Sequence, residues 1–232
     1  MRFIPLGDRA IIIALGDSID EATRLRVRAV SAALDATPLI AIVDQVPAFA
    51  SVAVHYDPAA VPGSADRSPF ERMVELLEQV LATGTADTAV TVRLVEIPVC
   101  YGGDLGPDLA DVAHAHGLEP DDVVRIHSAA EYVVYMVGFM PGFAYLGGLS
   151  DSIATPRRSA PRRAVPAGTV GIGGQQTGVY PMESPGGWNL IGRTPLQVFD
   201  ITRDEPALLA TGDHVRFRPI SADEYRTRQA GA

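Results

Sequence analysis

Apolar positions over the first third of the chain recur with two periods. The short runs Arg2–Leu6 and Ala10–Leu15 flank Gly7-Asp8, which predicts a hairpin. Ser18-Ile19-Asp20-Glu21 has the form of a capping box, with Val27, Val30 and Leu34 at helical spacing behind it. Leu39–Val43 and Ser51–Tyr56 read as strands, with Val52, Val54 and Tyr56 alternating against small or polar residues. Ser68-Pro69-Phe70-Glu71 joins a capping box to a proline at the first helical position. Met73, Leu76, Leu77 and Val80 then form the stripe of an amphipathic helix. The order ββαββα predicts a small α+β sandwich with its helices on one sheet face. The polar stretch Thr83–Thr88 is read as a domain boundary, giving an N-terminal domain 1–86 and a second domain 87–232.

The second part has a different texture. Val90, Val92 and Leu94 alternate as a half-buried strand does. Two short helices are predicted, Leu109–His116 ended by Gly117 and Asp121–His127 opened by Pro120. Beyond Val133, β-like runs are broken by Gly and Pro. Residues 138–195 hold 19 of the chain's 40 glycines and prolines, which rules out long helices and predicts a compact β-barrel or sandwich. Ser221–Gln229 closes the chain as a last helix.

Composition narrows the function. The 232 residues are 47% hydrophobic and 20% charged, enough to bury a core. A net charge of −9 argues against nucleic acid or an anionic membrane surface as a partner. All 19 basic residues are arginine, which excludes a Schiff-base lysine and a Walker A loop. With one cysteine, Cys100, there is no intrachain disulfide or CxxC motif. Ala10–Leu15 is too short for a signal or membrane segment, so a cytoplasmic protein is expected. The pair of short helices scans as a helix-turn-helix, but Glu119-Pro120-Asp121-Asp122 at the start of the second repels phosphate.

Candidate chemistry concentrates where the chain is richest in glycine. Residues 138–195 carry five arginines against two acids, in an otherwise acidic chain. Arg157, Arg158, Arg162 and Arg163 read either as ligands to a carboxylate or phosphate or as a partner-docking face. Gly171-Ile172-Gly173-Gly174-Gln175-Gln176-Thr177-Gly178 is neither GxGxxG nor a P-loop. It is either a turn between barrel strands or, with Gln175, Gln176 and Thr177, part of the same anion site. Among the five histidines, His127 is the best placed, as a general base, a ligand donor or a capping or core histidine. His114 and His116 point to different helix faces, and no metal site is expected.

Three long stretches carry a resemblance. They are Tyr135-Met136-Val137-Gly138-Phe139-Met140-Pro141-Gly142-Phe143-Ala144-Tyr145-Leu146-Gly147-Gly148-Leu149, the segment from Pro156 to Gly174, and Gln176–Pro195 with its Ser184-Pro185-Gly186-Gly187-Trp188-Asn189 core. Pro5-Leu6-Gly7-Asp8 and Ile97–Asp104 fit the same pattern. The chain resembles the carboxyltransferase-type family of allophanate hydrolase subunit 1 and the B-type subunit of 5-oxoprolinase, which includes an inhibitor of a sporulation histidine kinase. The resemblance implies an N-terminal α+β domain and a C-terminal cyclophilin-like β-barrel. It implies a homologous second subunit and, in the oxoprolinase branch, a third, opening 5-oxoproline to glutamate at the expense of ATP, with Mg²⁺. Two other branches imply urea carboxylation or allophanate hydrolysis, and docking on a sensor kinase. No nucleophile–base pair is evident in the chain, so half of a shared active site is expected. The apolar and aromatic run Val133–Leu149, with Tyr135, Phe139, Phe143 and Tyr145 alongside Met136 and Met140, reads either as a face for the partner, which is expected, or as ordinary barrel core.

Overall fold

A computed structural model describes residues 1–18, 20–63, 66–83 and 93–230, and the chain divides into two compact units, Met1–Val90 and Thr91–Ala232. Most of the expected boundary Thr83–Thr88 lies outside the described residues, as do Val90 and Val92 of the expected strand.

In the first unit the hairpin forms as β1 (Arg2–Pro5) and β2 (Ala10–Ala14), turned at Gly7 with φ 64°. Helix α1 (Glu21–Ala36) follows, then β3 (Ile42–Pro47), β4 (Ser51–Tyr56) and helix α2 (Pro69–Thr83). The sheet runs β1-β2-β4-β3, antiparallel throughout. Ile11, Ile13, Val52 and Val54 bury one face of it against Val27, Leu34, Met73 and Leu77 of the helices. The α2 capping box is reciprocal: Ser68 N–H donates to Glu71 (2.8 Å) and Glu71 N–H to Ser68 Oγ (3.2 Å). Two local readings shift. The cap of α1 is Asp20, whose carboxylate accepts from Thr23 N–H at 2.7 Å, while Ser18 donates to that same carboxylate. Strand β3 starts three residues later than Leu39–Val43 and ends at Pro47, because as an edge strand it buries little and Asp44-Gln45 interrupts its apolar pattern.

In the second unit, β5 (Leu94–Tyr101) leads to α3 (Leu109–Ala115) and α4 (Pro120–Ala129). Strands β6 (Glu131–Val137), β7 (Ala144–Gly147), β8 (Arg162–Val165), β9 (Thr169–Gly173) and β10 (Gln176–Val179) come next. Then follow β11 (Ser184–Gly186), β12 (Asn189–Arg193), β13 (His214–Pro219) and α5 (Ala222–Ala230). Among the described residues a barrel closes in the order β10-β7-β6-β13-β5-β12-β9, and β8 and β11 form a separate ribbon. Ile97, Val134, Leu146, Ile172, Ile191 and Phe217 fill its core, joined by Val112 of α3 and Val123 of α4. The expected α+β class with a β-barrel is what is observed. No helix among the described residues is long and apolar enough to cross a membrane.

Candidate ligand cleft

Glycines on the barrel's outer face make a seat for a large ring. Successive strand residues point to opposite sides, so Ile172 and Thr177 enter the core while Gly171, Gly173 and Gly178 face outward. Trp188, the chain's only tryptophan, lies on them. A Cβ on Gly173 would come within 2.5 Å of its Nε1, and one on Gly178 within 3.3 Å of its ring. Phe143 packs edge-on against three aromatic neighbours, with ring centroids 4.8 Å from Tyr145, 5.3 Å from Tyr180 and 5.5 Å from Trp188.

These rings floor a cleft of about 180 Å³. Phe139, 67% exposed, and Arg157 stand at its rim, with Arg158 and Pro161 beside them. The Arg157 guanidinium sits 5.8 Å from the centroid of Trp188, a cation–π distance. The cleft is therefore apolar on its floor and cationic at its edge.

Of the four clustered arginines, the structure brings Arg157 and Arg158 to this cleft. Arg158 is shared: its Nη1 donates to Asp108 at 3.1 Å, and Arg162 donates to the same Oδ1 at 2.7 Å. The other oxygen of Asp108 accepts from Leu190 N–H at 2.7 Å. With its side chain 3% exposed, Asp108 is a buried carboxylate neutralised by two guanidiniums and a backbone amide. Arg162 is thus committed to an internal anion. Arg163, the next residue on β8, is exposed and points to the other face of the ribbon.

Gln175, Gln176 and Thr177 do not line the cleft. Gly174, at φ 67°, turns the β9–β10 hairpin, and its N–H bonds Thr155 O at 2.8 Å. This turn places Gln175 on Asp151, with Nε2 donating at 3.1 Å, while Gln176 Nε2 is buried with no hydrogen-bond partner. Thr177 is fully buried in the barrel wall.

His127 is also fully buried, and it meets Thr177 there. The Thr177 hydroxyl donates to Gly171 O at 2.9 Å, so the 2.9 Å contact with His127 is a donation from Nε2–H. Nδ1 then accepts from the Tyr101 hydroxyl at 2.8 Å. Phe217 lies against the ring, centroid to centroid 4.6 Å, and burial pushes the imidazole pKa down to about 3. The imidazole is a neutral, doubly bonded node of the core, with no face toward the cleft. Sequence reasoning missed Asp108, which precedes a helix, as any Asx cap would, and gives no hint of two arginines some 50 residues away. It also missed the role of Trp188, whose signal was the pairing of one large ring with an unusual density of glycine.

A profile of the carboxyltransferase domain, subdomain C and D, matches residues 1–209. The chain is 48% identical over 223 residues to the B-type subunit of 5-oxoprolinase from Bacillus subtilis (strain 168), covering 95% of this chain and 93% of that protein. The crystal structure of TTHA0988 superposes with a TM-score of 0.78 at 36% identity over 92% of this chain; the chain spans 40% of that protein. K. lactis urea amidolyase, at 21% identity, shares the fold, with a TM-score of 0.77 over 97% of this chain and 15% of its own. This chain belongs to the carboxyltransferase domain family, subdomain C and D.

Proposed function

We propose that the chain is the B-type subunit of a 5-oxoprolinase and that its cleft holds the ring and carboxylate of 5-oxoproline. The observation that carries this reading is a small aromatic cleft with a guanidinium at its edge, in a chain 48% identical to the B-type subunit of a 5-oxoprolinase. A five-membered lactam is a compact, largely apolar ring for the aromatic walls of the cleft and carries one carboxylate for Arg157 and Arg158. Holding both ends fixes the carbonyl in one direction and excludes water from the ring faces. His127 takes no part in this chemistry; it braces the barrel beneath the cleft.

Nucleotide and its Mg²⁺ do not fit here. Pockets that bury drug-sized ligands run to about 300–1,000 Å³, and a nucleoside triphosphate exceeds this cleft of about 180 Å³. The residues that line this cleft include no carboxylate to hold Mg²⁺ beside the phosphates. We assign the nucleotide to the other parts of the assembly, a homologous C-type subunit and an A-type subunit. The ring-opening half-site is then non-autonomous.

The test is reconstitution. The isolated chain is expected to release no glutamate from 5-oxoproline, and the co-purified subunits to do so with ATP. Replacing Arg157 by Ala removes a charge-assisted contact and raises KM for 5-oxoproline about 10- to 100-fold. A complex that consumes urea and bicarbonate but not 5-oxoproline would overturn the proposal, as would an Arg157→Ala complex with unchanged KM.

A further inference from the structure

Phe139 is placed against its own preferences twice over. Its φ is 70°, in the left-handed region where a bulky side chain is an outlier and Gly or Asn is the usual occupant. It is also 67% exposed, so its ring does not stabilise the core in return. The backbone around it explains how the strain is held. Gly138 N–H bonds Phe143 O (3.0 Å) and Phe143 N–H bonds Met140 O (3.1 Å), closing a tight loop between β6 and β7, with Pro141 fixing the residue before it. The loop needs a left-handed residue at this point; it does not need a phenyl ring. That ring lines the cleft, edge-on to Phe143 at 5.7 Å, in the same cleft as the Arg157–Trp188 pair. A strained, exposed aromatic at a cleft mouth is the pattern of a residue kept for its ligand.

We propose that Phe139 is the outer wall of the cleft and sets its specificity for ring-closed over open-chain carboxylates. This rests on the reading of the cleft given above. A compact lactam ring seated on the aromatic floor packs against the Phe139 ring at the mouth, while its carboxylate meets Arg157. An open chain such as glutamate satisfies the arginine but offers the wall no closed ring to pack on. Substrate is thereby held in preference to product.

Three readouts on Phe139→Asn and Phe139→Tyr test this: thermal melting, Trp188 emission on titration with 5-oxoproline, L-glutamate and 2-pyrrolidinone, and co-purification with the C-type subunit. Asparagine suits a left-handed backbone, so Phe139→Asn is expected to raise Tm by about 2–4 °C. It should weaken 5-oxoproline about tenfold and leave glutamate unchanged. Phe139→Tyr keeps the wall and should match wild type in both. The inference is overturned if Phe139→Asn keeps wild-type 5-oxoproline affinity, if its Tm falls, or if no ring carboxylate alters Trp188 emission in the wild-type chain. Unchanged ligand affinity with lost co-purification would make Phe139 a docking residue instead. If the wild-type complex fails to turn over 5-oxoproline while the binding differences stand, the proposed function fails and the role of Phe139 survives.

Discussion

At the scale of single residues, the polar groups that looked most chemical are those the fold has enclosed. His127 exchanges hydrogen bonds with Tyr101 and Thr177 and is neutral by virtue of burial, its pKa lowered from 6.5 to about 3. The sign of the consequence follows. Below about pH 6.5 the unfolded chain binds a proton that the folded chain refuses, so stability is complete above that pH. It declines toward pH 3 by up to about 1.4 kcal/mol per pH unit. A His127→Gln variant, whose amide still donates and accepts, should be less stable than wild type at pH 7.5. That gap should narrow steadily down to pH 5 in calorimetry, and parallel curves would refute this account. Asp108 is the second case. Its replacement by Ala leaves Arg158 and Arg162 facing each other without a counter-charge and strips Leu190 N–H of its acceptor. A loss of about 3–5 kcal/mol is expected in urea unfolding and, on the proposed reading of the cleft, weaker 5-oxoproline binding because Arg158 is no longer oriented.

Between elements, legibility in the sequence tracked how local each signal was. Helix α2 and strand β4 could be read because cap, period and boundary all lie within a few consecutive residues. Strand β3 slipped because an edge strand with the polar sequence Asp44-Gln45 declares itself only through its neighbour. Four arginines close in sequence suggested one anion site, whereas alternation along β8 and the distant Asp108 sort them into different places. Gly171–Gly178 carried a signal too, but for packing: the outward glycines exist so that an indole can lie flat on β9 and β10. This yields a graded prediction. Gly173→Ala meets Trp188 Nε1 at 2.5 Å and should cost about 1–3 kcal/mol while shifting the emission maximum of the chain's single tryptophan. Gly171→Ala, with 3.2 Å to Trp188 Cβ, should cost less and shift it less. Equal effects would mean that the indole is not what the glycines accommodate.

On the scale of the whole molecule, each unit has its own core, and all the residues of the cleft come from the second. The barrel's closure has a consequence in time. Its first strand, β5, pairs in parallel with its last, β13, with Leu94 beside His214 and Val99 beside Pro219, about 120 residues apart. During synthesis at roughly 5–20 residues per second, β5 waits some 6–24 s on the ribosome before that neighbour exists. Through that interval Ile97 and Val99, both fully buried at the end, stay on an open edge. Glu96 and Pro98 lie between and beside them, a charge and a missing N–H donor in the strand that has longest to wait. The nascent chain therefore carries its own protection against premature pairing, written into the strand that opens the barrel.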